Sequence, residues 1–310
     1  VKMRKSCIIL VLLSLSVANT FAYCPTPTIH FKSLRSSLGK LTKQESMSRP
    51  SKLVLRMQDK LDMFVKEHNK LHLESRLKYL EQQAIDDLIL AVAKYENPVF
   101  TTALIAGDDV ILHILHKSGL LPKVKIVFID TLHLFPETLE FLEKVEKFYG
   151  FKAVIYKAEG CETREEFDEK YGDDIFIEDI ETYDKVAKVE PLLRALRESK
   201  TKLWINGRRR DQGFERAALE VWEKEKMNPI AFWTFEDCWK YIEQHKVPYH
   251  PLHDDGYPSL GDMHSTLRVE KEKWFLYGME RAGRFQNMQN PDGSDKTECG
   301  IHTVSSPLTK

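Results

Sequence analysis

Hydrophobic positions along this chain change period several times, and each change predicts an element. Over residues 53–95, Leu61, Phe64 and Val65 fall at i, i+3 and i+4, and Leu77, Leu80, Ile85 and Leu88 lie near the same spacing. That periodicity predicts a helix. Residues 98–105 form a short β-branched and aromatic run, read as a strand. A turn follows at Ala106-Gly107-Asp108-Asp109, then a helical stretch over residues 110–116. A second apolar run, residues 124–129, ends at Asp130-Thr131. The next helix begins near Pro136, a residue suited to a first turn, and stops at Gly150, a typical helix-end glycine. Further strands are predicted at 153–156 and 203–205. A last helix opens at Thr234, whose partner three residues on, Asp237, makes a capping-box variant.

Short buried strands alternating with helices predict an α/β fold, a doubly wound and mainly parallel sheet. Ligands of such folds bind at the carboxyl ends of the strands. Ala106–Asp109, Asp130-Thr131 and the residues after Ile205 are therefore expected to converge on one crevice.

Ahead of this pattern the composition differs. Lys2, Arg4 and Lys5 precede an apolar run over residues 7–17, followed by Ala18-Asn19-Thr20. This is the layout of a signal peptide, and the run is shorter than the roughly 20 residues a spanning helix needs. Residues 23–52 hold six Lys or Arg and six Ser against one acid, Glu45, a transit-like composition. A signal peptide over 1–20 joined to a transit-like presequence over 21–52, with Phe21 after the junction, resembles the bipartite leader of plastids bounded by extra membranes. Plastid stroma is the expected location, with secretion as the alternative. Val1 precedes Met3, so Met3 is the expected start.

Charge and cysteine usage narrow the function. Forty-six basic and 47 acidic side chains leave a net charge of −1, so no global field favours nucleic acid or membrane. Of five cysteines, Cys7 and Cys24 lie in the leader, and Cys161, Cys238 and Cys299 are far apart with no CxxC. That is no disulfide framework and suits a reducing compartment. His250, His253 and His264 lack a partner at zinc-ligand spacing.

Three segments carry candidate chemistry. Arg208, Arg209, Arg210 and Arg216 follow the last predicted strand, where planar guanidinium groups could hold an anion with several charged groups. The competing reading is a solvated loop whose arginines pair with surface acids. Residues 256–266 form a turn-rich loop with many small polar donors. Glu298-Cys299-Gly300-Ile301-His302 places one thiol in a polar tail, either incidental or a nucleophile whose thiolate is favoured by nearby cations. Arg281 and Arg284 lie upstream, and the Asn, Gln, Asp and Gly of residues 286–296 predict a flexible tether.

Together these motifs resemble the thiol-dependent adenylyl-sulfate and phosphoadenylyl-sulfate (PAPS) reductases of assimilatory sulfate reduction. The matching pieces are residues 128–131 (FIDT), 188–191 (KVEP), 207–212 (GRRRDQ), 256–266 (GYPSLGDMHST) and 298–302 (ECGIH), in family order. The resemblance implies a PP-loop-type, Rossmann-like adenine nucleotide fold over 53–285 and a mobile catalytic tail over 286–310. It implies Cys299 as the catalytic nucleophile. The implied substrate-binding set is Ala106, Gly107, Asp108, Asp130, Thr131, Lys188, Arg208, Arg209, Arg210, Arg216, Gly261, His264, Ser265 and His302. The thiolate would attack the sulfate sulfur, expelling AMP or its 3′-phosphorylated form, and thioredoxin or glutaredoxin would release sulfite. Members with an iron–sulfur cluster carry four cysteines where this chain has Tyr183, Asp184, Asp262 and Ser265, so no cluster, metal or other bound cofactor is expected. The chain ends at Lys310 without a fused thioredoxin-like domain, which implies a separate reductant. The choice between PAPS and adenylyl sulfate stays open, as does a homodimer. The alternatives are an inactive nucleotide-binding or regulatory protein on this fold, or another PP-loop enzyme.

Overall fold

Four parallel strands and an antiparallel hairpin form one six-stranded sheet. The structure is a computed structural model that describes residues 52–301, with side chains from residue 63. The leader, the presequence up to residue 51, and His302 with the residues after it lie outside the described residues. Contacts divide the chain into Val1–Lys66 and Glu67–Lys310. The described part of the first unit is helical, and all else lies in the second.

Helix α1 spans Lys52–Lys94, within a residue of the sequence prediction. Its later half buries Leu77, Leu80, Ala84, Leu88 and Ala91, an apolar stripe at three- and four-residue steps. Arg76 pairs with Asp237 at 2.7 Å, and Glu81 receives Lys117 at 2.7 Å, so polar contacts flank the stripe.

Strand β1 covers Val99–Thr102 and pairs in parallel with β2, Lys125–Ile129, in the register Val99↔Lys125 to Thr102↔Phe128. On its other side β1 meets β4, Trp204–Ile205, also in parallel. Strand β3, Val154–Tyr156, extends the sheet beyond β2. Strands β5, Trp222–Glu223, and β6, Lys226–Met227, form the far edge, with β6 parallel to β4. The chain order reverses between β1 and β4, so the strand ends open a crevice there.

β1 is shorter than the predicted run because the chain turns at Leu104, whose φ is +56°. Helix α2, Ala106–Lys117, then starts four residues earlier than its pattern predicts. Its first turn contains Asp108 and Asp109, both buried, and burial pushes both carboxyls up. Helix α3, Pro136–Tyr149, begins at its proline and ends on Gly150 in the left-handed region at φ +72°, as predicted. Helix α4, Arg164–Tyr171, has a full Thr163–Glu166 capping box. A helical run with a π-type turn at Lys185–Val189 leads into α5, Glu190–Glu198. Helix α6, Phe235–His245, carries the predicted Thr234–Asp237 box. None of the described helices is long and apolar enough to cross a membrane.

The core sits on both faces of the sheet. One cluster joins α1, α2, α3 and α6 to Phe100, Phe128 and Ile205. A second packs Leu192, Ala195 and Leu196 of α5 on Val99, Val127 and Trp204, with Ile301 of the tail against its edge. After α6 the chain is irregular and is fixed by specific bonds, such as Trp274 Nε1 donating to Val269 O at 2.8 Å.

Candidate active site

The carboxyl ends of β1, β2 and β4 line a cavity of about 170 Å³, so the three predicted loops do converge. Thr101 and Thr102 come from β1, Phe128 and Ile129 from β2, Thr131 from the loop after it, and Asn206, Gly207 and Arg208 from the loop after β4. Lys188, Arg216, Gly261, Asp262, Arg281, Arg284 and Cys299 complete the wall. Five cations and one thiol thus surround a single crevice.

Most of these cations are held in place. Arg208 donates to Asn228 Oδ1 at 3.2 Å and to Glu223 Oε2 at 2.9 Å. Lys188 lies 2.8 Å from Asp184 and 2.7 Å from Asp262. Burial opposes its charge, but those two carboxylates outweigh it and hold the ammonium above its ordinary range. Burial likewise opposes the Asp262 charge, and Lys188 and the Thr131 hydroxyl outweigh it, holding that carboxyl well below the usual range. Thr131 donates to Asp262 Oδ1 at 2.5 Å.

Arg284 is poised differently. Its Nη1 donates to Leu260 O at 2.5 Å, while its buried Nε has no partner. A buried N–H with no acceptor costs free energy until an anion supplies one. Gly261 makes room for it, because a β-carbon there would lie 2.2 Å from Arg284 Nη2. Burial, then Arg216 and Arg284 beside it, push Arg281 down to about 10, so it stays a cation at neutral pH.

The tail lies folded over this wall. Lys296 pairs with Asp184 at 2.7 Å, Thr297 Oγ1 donates to Glu215 at 2.9 Å, and Gly300 N donates to Asp184 at 3.2 Å. Glu298 accepts from Arg216 and, at 3.3 Å, from Arg281. Cys299 between them is half-buried and unpaired in any disulfide. Its negative form would act on Lys188, Arg281 and Arg284. The arrangement presents a sulfur nucleophile to whatever anion the cations hold.

Not every residue of the implied binding set reaches the cavity. Asp108, Thr131, Lys188, Arg208, Arg216, Gly261 and Cys299 line it. Ala106, Gly107, Asp130, Arg209, Arg210, His264 and Ser265 do not. Arg209 is fully buried and pairs with Glu280 and, at 3.1 Å, with Asp211. Gly107 provides its space, since a β-carbon there would lie 2.6 Å from Arg209 Nη1. Arg210 turns outward, to Glu220 at 2.7 Å and over the Phe232 ring. Asp130 caps its own turn by accepting from Leu132 N at 2.9 Å. His264 stacks on Phe176 at 4.0 Å, and burial brings it down to about 4, so it is neutral at pH 7. Ser265 donates to Asp262 O at 3.3 Å.

The implied binding set lacked Thr101 and Thr102, which lie inside the predicted 98–105 run, and did not single out Asn206 among the residues after Ile205. The positions of Tyr183, Asp184, Asp262 and Ser265 are informative as a group. Asp184 and Asp262 converge on the Lys188 ammonium, and Lys188 also lies 4.8 Å from the Tyr183 ring centroid. An ammonium at the centre of such a set opposes a bound cation, and no group of three metal-ligating side chains occurs among the described residues.

The sequence matches the family model of the phosphoadenosine phosphosulfate reductase domain over residues 97–268. It is 39% identical over 253 residues to the phosphoadenosine phosphosulfate reductase of Emericella nidulans, covering 79% of this chain and 78% of that one. The Saccharomyces cerevisiae enzyme of the same name is 41% identical over 191 residues, covering 58% and 69%. An adenosine 5′-phosphosulfate reductase of Lysinibacillus sphaericus is 32% identical over 225 residues, covering 71% and 90%. The crystal structure of phosphoadenylyl-sulfate (PAPS) reductase from Candida auris, a phosphate complex, superposes with a TM-score of 0.54 at 36% identity, over 62% of this chain and 96% of that one. By its sequence the chain belongs to the phosphoadenosine phosphosulfate reductase family.

Proposed function

We propose that this protein reduces an adenylyl sulfate, either PAPS or its form without the 3′-phosphate, to sulfite in sulfate assimilation. The observation that carries the reading is Cys299, half-buried at the strand-end crevice among Lys188, Arg208, Arg281 and Arg284. A thiolate approaching a phosphosulfate meets like charge, and fixed cations remove that barrier while stabilising the leaving phosphate.

The Cys299 sulfur attacks the sulfate sulfur, and the bond from that sulfur to the bridging oxygen breaks. Its electron pair leaves with AMP or its 3′-phosphorylated form. The product is an S-sulfonated cysteine. A reduced thioredoxin or glutaredoxin thiolate then attacks the Cys299 sulfur, and sulfite departs with the bonding pair. A mixed disulfide remains, and the donor's second thiol resolves it, returning Cys299 as a thiol. The sulfate sulfur gains two electrons and the donor loses them as a disulfide.

The cavity with the tail in place, about 170 Å³, is smaller than the roughly 300–1,000 Å³ of ordinary ligand pockets. Substrate entry therefore requires the tail to lift, and the reaction requires it to return. Sulfite release with reduced thioredoxin, measured in parallel with PAPS and adenylyl sulfate, tests the reading and identifies the substrate. Consumption of neither nucleotide would favour an inactive nucleotide-binding protein on this fold.

A further inference from the structure

Two of the crevice arginines draw their counter-charge from an unusual place. Arg208 pairs with Glu223, and Lys188 with Asp184 and Asp262, all of them carboxylates of the folded domain. Arg216 and Arg281 instead pair with Glu298, the tail residue next to Cys299. Among the described residues, no other carboxylate forms an ion pair with either arginine.

The contact is a fork. Arg216 Nε donates to Glu298 Oε1, Arg216 Nη2 donates to Oε2 at 2.7 Å, and Arg281 Nη2 reaches Oε2 at 3.3 Å. Arg281 Nη2 also donates to the neighbouring Thr297 O at 2.7 Å. Gln212 Oε1 braces Arg216 from behind at 2.6 Å. The Glu298 side chain is only 11% exposed, so solvent and salt screen the fork weakly.

We propose that Glu298 is the positioning residue that seats the Cys299 thiol over the crevice. Arg216 and Arg281, both in the crevice wall, are its receptor and hold the tail. The proposal rests on reading Cys299 as the nucleophile. A paired fork between guanidinium and carboxylate fixes direction as well as distance. Placed one residue from the thiol, it converts docking of a long segment into a defined sulfur position, which near-attack geometry demands.

The test compares Glu298→Gln, Arg216→Met and the double variant in the full chain. Three quantities are read: alkylation of Cys299 by iodoacetamide without nucleotide, AMP affinity, and kcat with the adenylyl sulfates. Each single variant should speed alkylation about ten-fold, as expected for loss of a charge-assisted bond. Each should lower kcat by about 10²-fold, the scale of a misplaced reacting group. AMP affinity should not change in Glu298→Gln, and the double variant should lower kcat no further than the singles, because both remove one contact. Additive losses of kcat in the double variant would overturn the proposal, because Arg216 and Glu298 would then act separately. Unchanged alkylation in Glu298→Gln would also overturn it, and that variant decides the matter alone if Arg216→Met does not fold. Faster alkylation in a protein whose wild type consumes neither nucleotide would sustain the tail contact and reject the catalytic reading instead.

Discussion

Arg209 and Glu280 form an ion pair buried in the domain, their side chains 0% and 2% exposed. The pair joins the loop after β4 to the turn at Met279–Arg281 that precedes Arg284. Removing Arg209 leaves the Glu280 carboxylate buried without its paired cation, held only by the Gln212 amide at 3.1 Å, a loss of about 3–5 kcal/mol. Arg209→Met should therefore lower the thermal midpoint by several degrees in a melting experiment. The fraction that remains folded should bind AMP normally, because Arg209 is not in the cavity wall.

Arg284→Ala should act in the opposite way. Its unpaired Nε and its place in the wall make it a donor for an incoming anion. Losing one charge-assisted bond costs about 1.5–3 kcal/mol, so nucleotide affinity should fall by roughly 10- to 150-fold in titration calorimetry. Gly261→Ala should weaken binding as well, since a β-carbon there would displace the guanidinium.

These two arginines show how far the sequence could be read. Arg208 to Arg210 look equivalent as a run, yet only Arg208 lines the cavity. Arg209 turns inward to Glu280, a partner distant in sequence that no local signal marks. Helices with chemical punctuation were legible, as Pro136 with Gly150 and Thr234 with Asp237 demonstrate. The β5–β6 hairpin was not, because two-residue strands carry no periodicity. Nor was the path of residues 246–301, which depends on individual bonds such as Arg284 to Leu260 O.

Asp108 supplies a pH dependence. Burial pushes its carboxyl up to about 7, despite the bond its Oδ2 accepts from Ala103 N at 2.6 Å. A native pKa above the unfolded value near 3.9 means the native state binds the extra proton. This contribution to stability is full below about pH 4 and is lost as pH rises through about 7. Asp108→Asn cannot ionise, so its thermal midpoint relative to wild type should rise between pH 5 and 8 in scans across that range. A constant difference would remove Asp108 as the cause.

Thiol reactivity should be equally selective. Cys161 and Cys238 are 2% and 0% exposed, and burial pushes Cys238 up to about 12. Brief alkylation of the native protein at pH 8, followed by peptide mass spectrometry, should modify Cys299 and spare both others.

The most direct test of the mechanism is to add the consumed adenylyl sulfate to the enzyme without any thiol reductant and to analyse the tail peptide by mass spectrometry. A sulfonate group on Cys299, formed with one equivalent of AMP or its 3′-phosphorylated form and removed as sulfite by reduced thioredoxin, is the expected result. Nucleotide release with an unmodified Cys299, or sulfite formation by Cys299→Ser, would contradict the mechanism.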